Sequence, residues 1–111
     1  MTRITSHVLD TSTGQPASGL TVRLERSGSG GPAPLASATT DADGRVRDWL
    51  PAGVATGRYR LVFETGAWFR AAGRAALYPA VSIDFEVQDG VPHYHLPLLL
   101  SPFGYSTYRG S

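Results

Sequence analysis

Three histidines, His7, His93 and His95, are the side chains of this 111-residue chain best suited to moving protons near neutral pH. His93 and His95 stand two apart in HYHLPLLL, a stretch of strand character. On a strand both point to one face together with Pro97 and Leu99, while Tyr94, Leu96 and Leu98 take the other face and head for a core. Two imidazoles on one sheet face can share a proton, bind a metal or stand solvated, and spacing alone leaves all three open. A metal site needs a third ligand, and a His-x-His pair without one is a weak signal. His7, in SHVLD, supplies that ligand only if its strand lies alongside. Arg45 follows the turn Asp41-Ala42-Asp43-Gly44 and, taken alone, reads as an ordinary hairpin-edge arginine. Asp41 and Asp43 read as turn formers rather than as a carboxylate pair.

The end of the chain has an unusual alternation. Phe103, Tyr105, Thr107 and Arg109 oppose Gly104, Ser106, Tyr108 and Gly110. Small residues on a strand mark the close approach of a ligand or of another backbone. Tyr108 would then stand in a recess with a hydroxyl to donate, or pack against a partner. Other chemistries drop out. The chain has no cysteine, so disulfides, thiolate nucleophiles and cysteine-ligated metals are excluded. All ten Lys-plus-Arg positions are arginine, which removes lysine Schiff-base chemistry. No phosphate-cradling glycine loop and no G-x-S-x-G elbow is present.

The elements that must position these residues are short. Thirteen glycines and eight prolines punctuate the chain and leave little room for long helices. Strands are expected at Ile4 to Leu9, Leu20 to Arg26, Leu35 to Thr40, Arg45 to Val46, Arg58 to Glu64, Val81 to Val87, Tyr94 to Leu100 and Tyr105 to Arg109. Their period-two patterning is cleanest in Leu20, Val22 and Leu24 and in Val81, Ile83, Phe85 and Val87. Thr65 to Ala76 is the one helix, with Thr65 as its N-cap and Gly66 and Gly73 limiting its length. About eight strands with turns at this spacing predict an all-β, eight-stranded antiparallel two-sheet sandwich with one short helix. A single domain over residues 1–111 accounts for the whole chain.

A hydrophobic fraction of 41% and a charged fraction of 17% are globular, and a net charge of +1 suggests neither a nucleic-acid nor an anionic-membrane partner. No apolar h-region opens the chain and no stretch is long enough to span a bilayer, so a cytoplasmic location is the default expectation.

Three segments together resemble the transthyretin-like family: ITSHVLDTSTGQPASGLTV (Ile4 to Val22), TDADGRV (Thr40 to Val46) and HYHLPLLLSPFGYSTYRGS (His93 to Ser111). ETGAWFRAAG looks like that family's short helix. Hormone-carrying transthyretins share the first segment and the LLLSPFGYST core, but have lysine where this chain has His7 and lack the YRGS ending. That ending, with the histidines, marks the 5-hydroxyisourate hydrolase branch. The resemblance implies a homotetramer, a dimer of dimers, with active sites in a channel through the dimer–dimer interface. It implies opening of the six-membered ring of 5-hydroxyisourate by hydrolysis of a ring amide, without a cofactor or metal. The product would be 2-oxo-4-hydroxy-4-carboxy-5-ureidoimidazoline, on the route from urate to allantoin. Family site residues match at His7, Arg45, His95, Tyr108 and Ser111.

On that basis His7 and His95 are expected to activate water and transfer protons, since imidazole's reference pKa of ~6.5 suits both tasks. Arg45, always charged, would hold the substrate carbonyl and the developing oxyanion. Tyr108 would hydrogen-bond the substrate and Ser111 would orient a histidine. Three other readings compete. One is a carrier binding a small aromatic ligand in the channel. Another is an adhesion or carbohydrate-binding sandwich. The third is a zinc enzyme on His7, His93 and His95.

Overall fold

Alternation along β1 (Arg3–Asp10) and β8 (His93–Ser101) sorts apolar side chains to one face and polar ones to the other. In the computed structural model, which describes residues 1–111, Ile4, Val8, Leu96, Leu98 and Leu100 are buried while Thr5, His7, His93 and His95 remain partly open. The other strands are β2 (Gln15–Pro16), β3 (Thr21–Arg26), β4 (Ala33–Thr39), β5 (Arg45–Val46), β6 (Gly57–Phe63), β7 (Val81–Val87) and β9 (Gly104–Thr107). They form two sheets. One runs β2-β1-β8-β9, with β5 also pairing with β1; the other runs β4-β3-β6-β7. The inner faces meet in one core that includes Ile4, Val8, Leu24, Leu61, Phe63 and Leu98. The polar outer face of the first sheet is therefore left to carry the histidines.

The sandwich and the single helix agree with the expectation, and three details correct it. There are nine strands rather than eight, because Gln15–Pro16, expected within a polar turn, pairs with Leu9 and Asp10. The sheets are not antiparallel throughout: β1 and β8 run parallel over eight registered pairs, from Arg3 opposite His93 to Asp10 opposite Leu100. A tight hairpin forces antiparallel pairing, but these two strands lie far apart in sequence, so the connection imposes no direction. The helix, α1, covers Thr65–Ala71 and stops short of Ala76, since Gly73 turns the chain out at φ 69°. Its N-cap is Glu64, and the buried Thr65 hydroxyl finds no hydrogen-bond partner.

Two contacts fix the frame around β1. At its far end the buried Asp10 carboxylate accepts hydrogen bonds from Arg74 (2.6 Å) and from the Ser12 hydroxyl (2.6 Å). Burial by itself pushes the Asp10 carboxyl up, but the Arg74 guanidinium and the Ser12 donors together hold it below the usual carboxylate value. At the start of the strand, the Trp49 indole N–H donates to the Ile4 carbonyl (2.8 Å), tying the loop after β5 to the sheet. Asp48, just before it, turns the loop at φ 58°, a left-handed conformation that aspartate tolerates. No helix is long and apolar enough to cross a membrane.

Candidate active site

Strand register brings the distant residues together. On β1, His7 lies opposite Arg45 of β5 on one side and opposite Pro97 of β8 on the other. Thr5 lies opposite His95, and Arg3 opposite His93. Because Thr5 and His7 have the same parity on β1, both share the outer face with His93 and His95. The tail then crosses β8: the Gly110 N–H donates to the His95 carbonyl (2.8 Å) and forms an isolated bridge opposite it. This is the register of β8 with β9 resumed after Tyr108 and Arg109 leave the strand.

A cavity of about 560 Å³ opens at this point, lined by Arg45, His93, His95 and Ser111 among others. Arg3, Thr5, Arg47 and Trp49 also line it, and sequence reasoning did not single these out. For Thr5 a signal did exist, since it stands two residues before His7 on an alternating strand. The loop residues gave none, because their loop is folded over β1 by tertiary contacts, the Trp49–Ile4 hydrogen bond and the Thr2–Val54 backbone pair.

The Thr5 hydroxyl sits between the two imidazoles, 2.7 Å from His93 Nε2 and 2.8 Å from His95 Nδ1. The two rings are 6.4 Å apart between centroids. Burial pushes the His95 imidazolium pKa down, and the charges of Arg45, His93 and His7 push it further the same way. His95 is thus held neutral, as a base, further into acid than an ordinary histidine.

Gly110 explains why the tail carries glycine. A Cβ built there would lie 2.6 Å from His95 Cδ2 and 3.2 Å from Pro97 Cγ. The backbone can lie flat on the imidazole only without a side chain, and that contact carries Ser111 into the cavity.

Not all expected site residues converge within one chain. Arg45, His95 and Ser111 line the cavity. His7 is half-buried beside it, close enough for its charge to act on His95, but is not part of the lining. Tyr108 lies outside: its side chain is 55% exposed, and the strand expected to run to Arg109 ends at Thr107. Arg109 instead lays its guanidinium over the Tyr94 ring, 4.8 Å from the centroid. No three His, Asp or Glu side chains converge as a metal site would require, so the zinc reading lacks its third ligand.

Residues 4–110 match the HIUase/Transthyretin family. The chain belongs to that family. Within the HIUase/Transthyretin family it stands with the hydrolases. It is 49% identical to 5-hydroxyisourate hydrolase 2 of Rhizobium meliloti, over 98% of this chain and 96% of that protein. The structure of Klebsiella pneumoniae 5-hydroxyisourate hydrolase superposes with a TM-score of 0.90 at 46% identity, covering 100% of both chains. Sea bream transthyretin in complex with thyroxine superposes equally well, with a TM-score of 0.90 over 97% of this chain and 94% of that one, but at 28% identity. The backbone is common to the hydrolase and to the thyroxine-bound transthyretin, so the distinction within the family rests on side chains.

Proposed function

We propose that this chain is a cofactor-independent cyclic amide hydrolase that opens 5-hydroxyisourate to 2-oxo-4-hydroxy-4-carboxy-5-ureidoimidazoline, a step in urate degradation towards allantoin. The observation that carries this reading is the single cavity holding Arg45, His95 and Ser111, with His95 kept neutral by burial and by surrounding positive charge. The names and identities of the hydrolase relatives support the substrate. A neutral imidazole accepts a proton from water as that water attacks the ring carbonyl. The Arg45 guanidinium, lining the same cavity, stabilises the oxyanion that forms. Collapse of the tetrahedral intermediate breaks the C–N bond, and the leaving nitrogen takes a proton from the imidazolium. His7 is the second proton carrier, Ser111 orients a histidine, and Tyr108 binds the substrate.

The open position of Tyr108 supports a site completed by assembly. Phe103, Tyr105 and Tyr108 are all exposed near the tail that reaches the cavity. A homotetramer, a dimer of dimers facing across these cavities, would cover them and form the channel in which His7 and Tyr108 meet the substrate. Native mass spectrometry is then expected to find four copies of the 11.8 kDa chain. The cytoplasm is the compartment proposed for it. An aromatic-ligand carrier is the weaker reading, because arginines and histidines line the cavity.

The deciding experiment follows the ultraviolet absorbance of freshly generated 5-hydroxyisourate with and without the protein. Decay well above the spontaneous rate is expected. Decay at the spontaneous rate refutes the assignment.

A further inference from the structure

One hydroxyl between two imidazoles has a consequence for protons. Thr5 Oγ1 lies within hydrogen-bond distance of both His93 Nε2 and His95 Nδ1. A hydroxyl carries one proton and can donate it to only one ring at a time. When Thr5 donates to His95 Nδ1, a neutral His95 must carry its proton on Nε2, and His93 Nε2–H donates to Thr5. When Thr5 donates to His93 Nε2, His95 Nδ1–H donates to Thr5, and His95 Nε2 is a free base. The two rings therefore do not choose their tautomers independently.

We propose that the Thr5 hydroxyl is a proton switch between His93 and His95, a positioning residue that sets which nitrogen of His95 is basic and passes a proton on to His93. This rests on the hydrolase reading above. In the basic arrangement His95 Nε2 takes a proton from the attacking water. Its Nδ1 proton then moves to Thr5 Oγ1 as the hydroxyl proton moves to His93 Nε2. The relay leaves His95 neutral with its proton on Nε2, and His93 as the imidazolium. No proton is gained or lost along it, and positive charge has moved from His95 to His93. Burial and the charges of Arg45 and His7 disfavour a charged His95, while Arg3 stands opposite His93 across the β1–β8 pairing and Arg47 and Asp48, from the loop after β5, line the same cavity. His93, at the start of β8, holds the proton until the C–N bond breaks; the relay then reverses, and His95 Nε2–H protonates the leaving nitrogen while Nδ1 regains its proton through Thr5.

The test uses Thr5→Val, which keeps the shape and removes the hydroxyl, and Thr5→Ser, which keeps the hydroxyl. The valine variant is expected to lose about 10–100-fold in kcat, the worth of one hydrogen bond to a charged imidazole, with KM nearly unchanged. Thr5→Ser is expected to recover most of that loss. Adding His93→Phe to Thr5→Val is expected to lower kcat no further, because the two act as one unit. Imidazole 15N spectroscopy reads the switch without substrate: the His95 tautomer ratio should change as His93 titrates in the unmodified protein, and stop changing in Thr5→Val. A tautomer ratio unaffected by Thr5→Val overturns the switch. So does a valine variant of an active protein with kcat within twofold of the parent. If the unmodified protein fails to hydrolyse 5-hydroxyisourate, the function is refuted, and the tautomer measurement still judges the switch.

Discussion

Replacing Gly110 with alanine adds one methyl group at the point where the tail lies on His95. The new Cβ would stand 2.6 Å from His95 Cδ2. Carbon atoms in good contact lie ~3.5–4.0 Å apart, so roughly 1 Å of movement is required. Either the imidazole turns away from its Thr5 bond, or the tail lifts and withdraws Ser111 from the cavity. Misplacement by about 1 Å costs catalysis on the order of 10²-fold. Stability should fall only modestly. The local loss is the single Gly110–His95 backbone hydrogen bond, worth about 1 kcal/mol. That corresponds to a fall in Tm of roughly 4–8 °C at most for a domain of this size. Gly104→Ala serves as the control, since its Cβ would meet only Ser101 Oγ at 3.7 Å, an ordinary contact. The measurements are the corrected rate of 5-hydroxyisourate decay and a calorimetric scan for each variant. A Gly110→Ala protein that turns over like the parent would refute the claim that the glycine is there to seat His95.

Other expectations follow from the same geometry. His95→Ala and His7→Ala should fold, by circular dichroism, yet lose about 10²–10⁴-fold in turnover, the usual worth of a positioned acid–base group. Because His95 titrates below the ordinary histidine value, the acid limb of the kcat profile should lie below pH ~6.5. Arg45→Met, which removes one depressing charge, should move that limb upward in whatever activity remains. The same shift affects folding: the unfolded state binds His95's proton at higher pH than the folded state does, so this residue's contribution to stability falls as pH drops below ~6.5. Arg74→Met should destabilise the fold by about 2–3 kcal/mol, since it strips a charged partner from the buried Asp10 carboxylate. In the intact protein the Asp10 contribution is present above pH ~3.9 and disappears as pH falls through its lowered folded value, which acid titration of the two proteins would compare.

Strand parity was legible in the residues themselves. A side-chain period of two places His93 and His95 together and opposite Tyr94, Leu96 and Leu98, and the burial pattern of β8 follows it. The small residues of the tail likewise announced a close approach, and Gly110 against His95 is that approach. The helix and the last strand are shorter than their sequence patterns imply, because composition does not say where tertiary contacts stop supporting a local preference. Tyr108 illustrates this: parity put it on the face of Gly110, but the backbone leaves the sheet at Thr107 and the side chain stays open.

What the chain determined alone was therefore a sandwich with one polar outer face, a set of proton-carrying residues and a family signature at its end. Which of those residues meet was decided only by folding. The parallel pairing of β1 with β8 joins segments some ninety residues apart and sets Thr5 between two imidazoles, a contact that no local pattern encodes. The short β5 pairing likewise puts Arg45 opposite His7. Local propensity and periodicity act over neighbouring residues, whereas register between distant strands is set by burying both apolar faces against the opposing sheet at once.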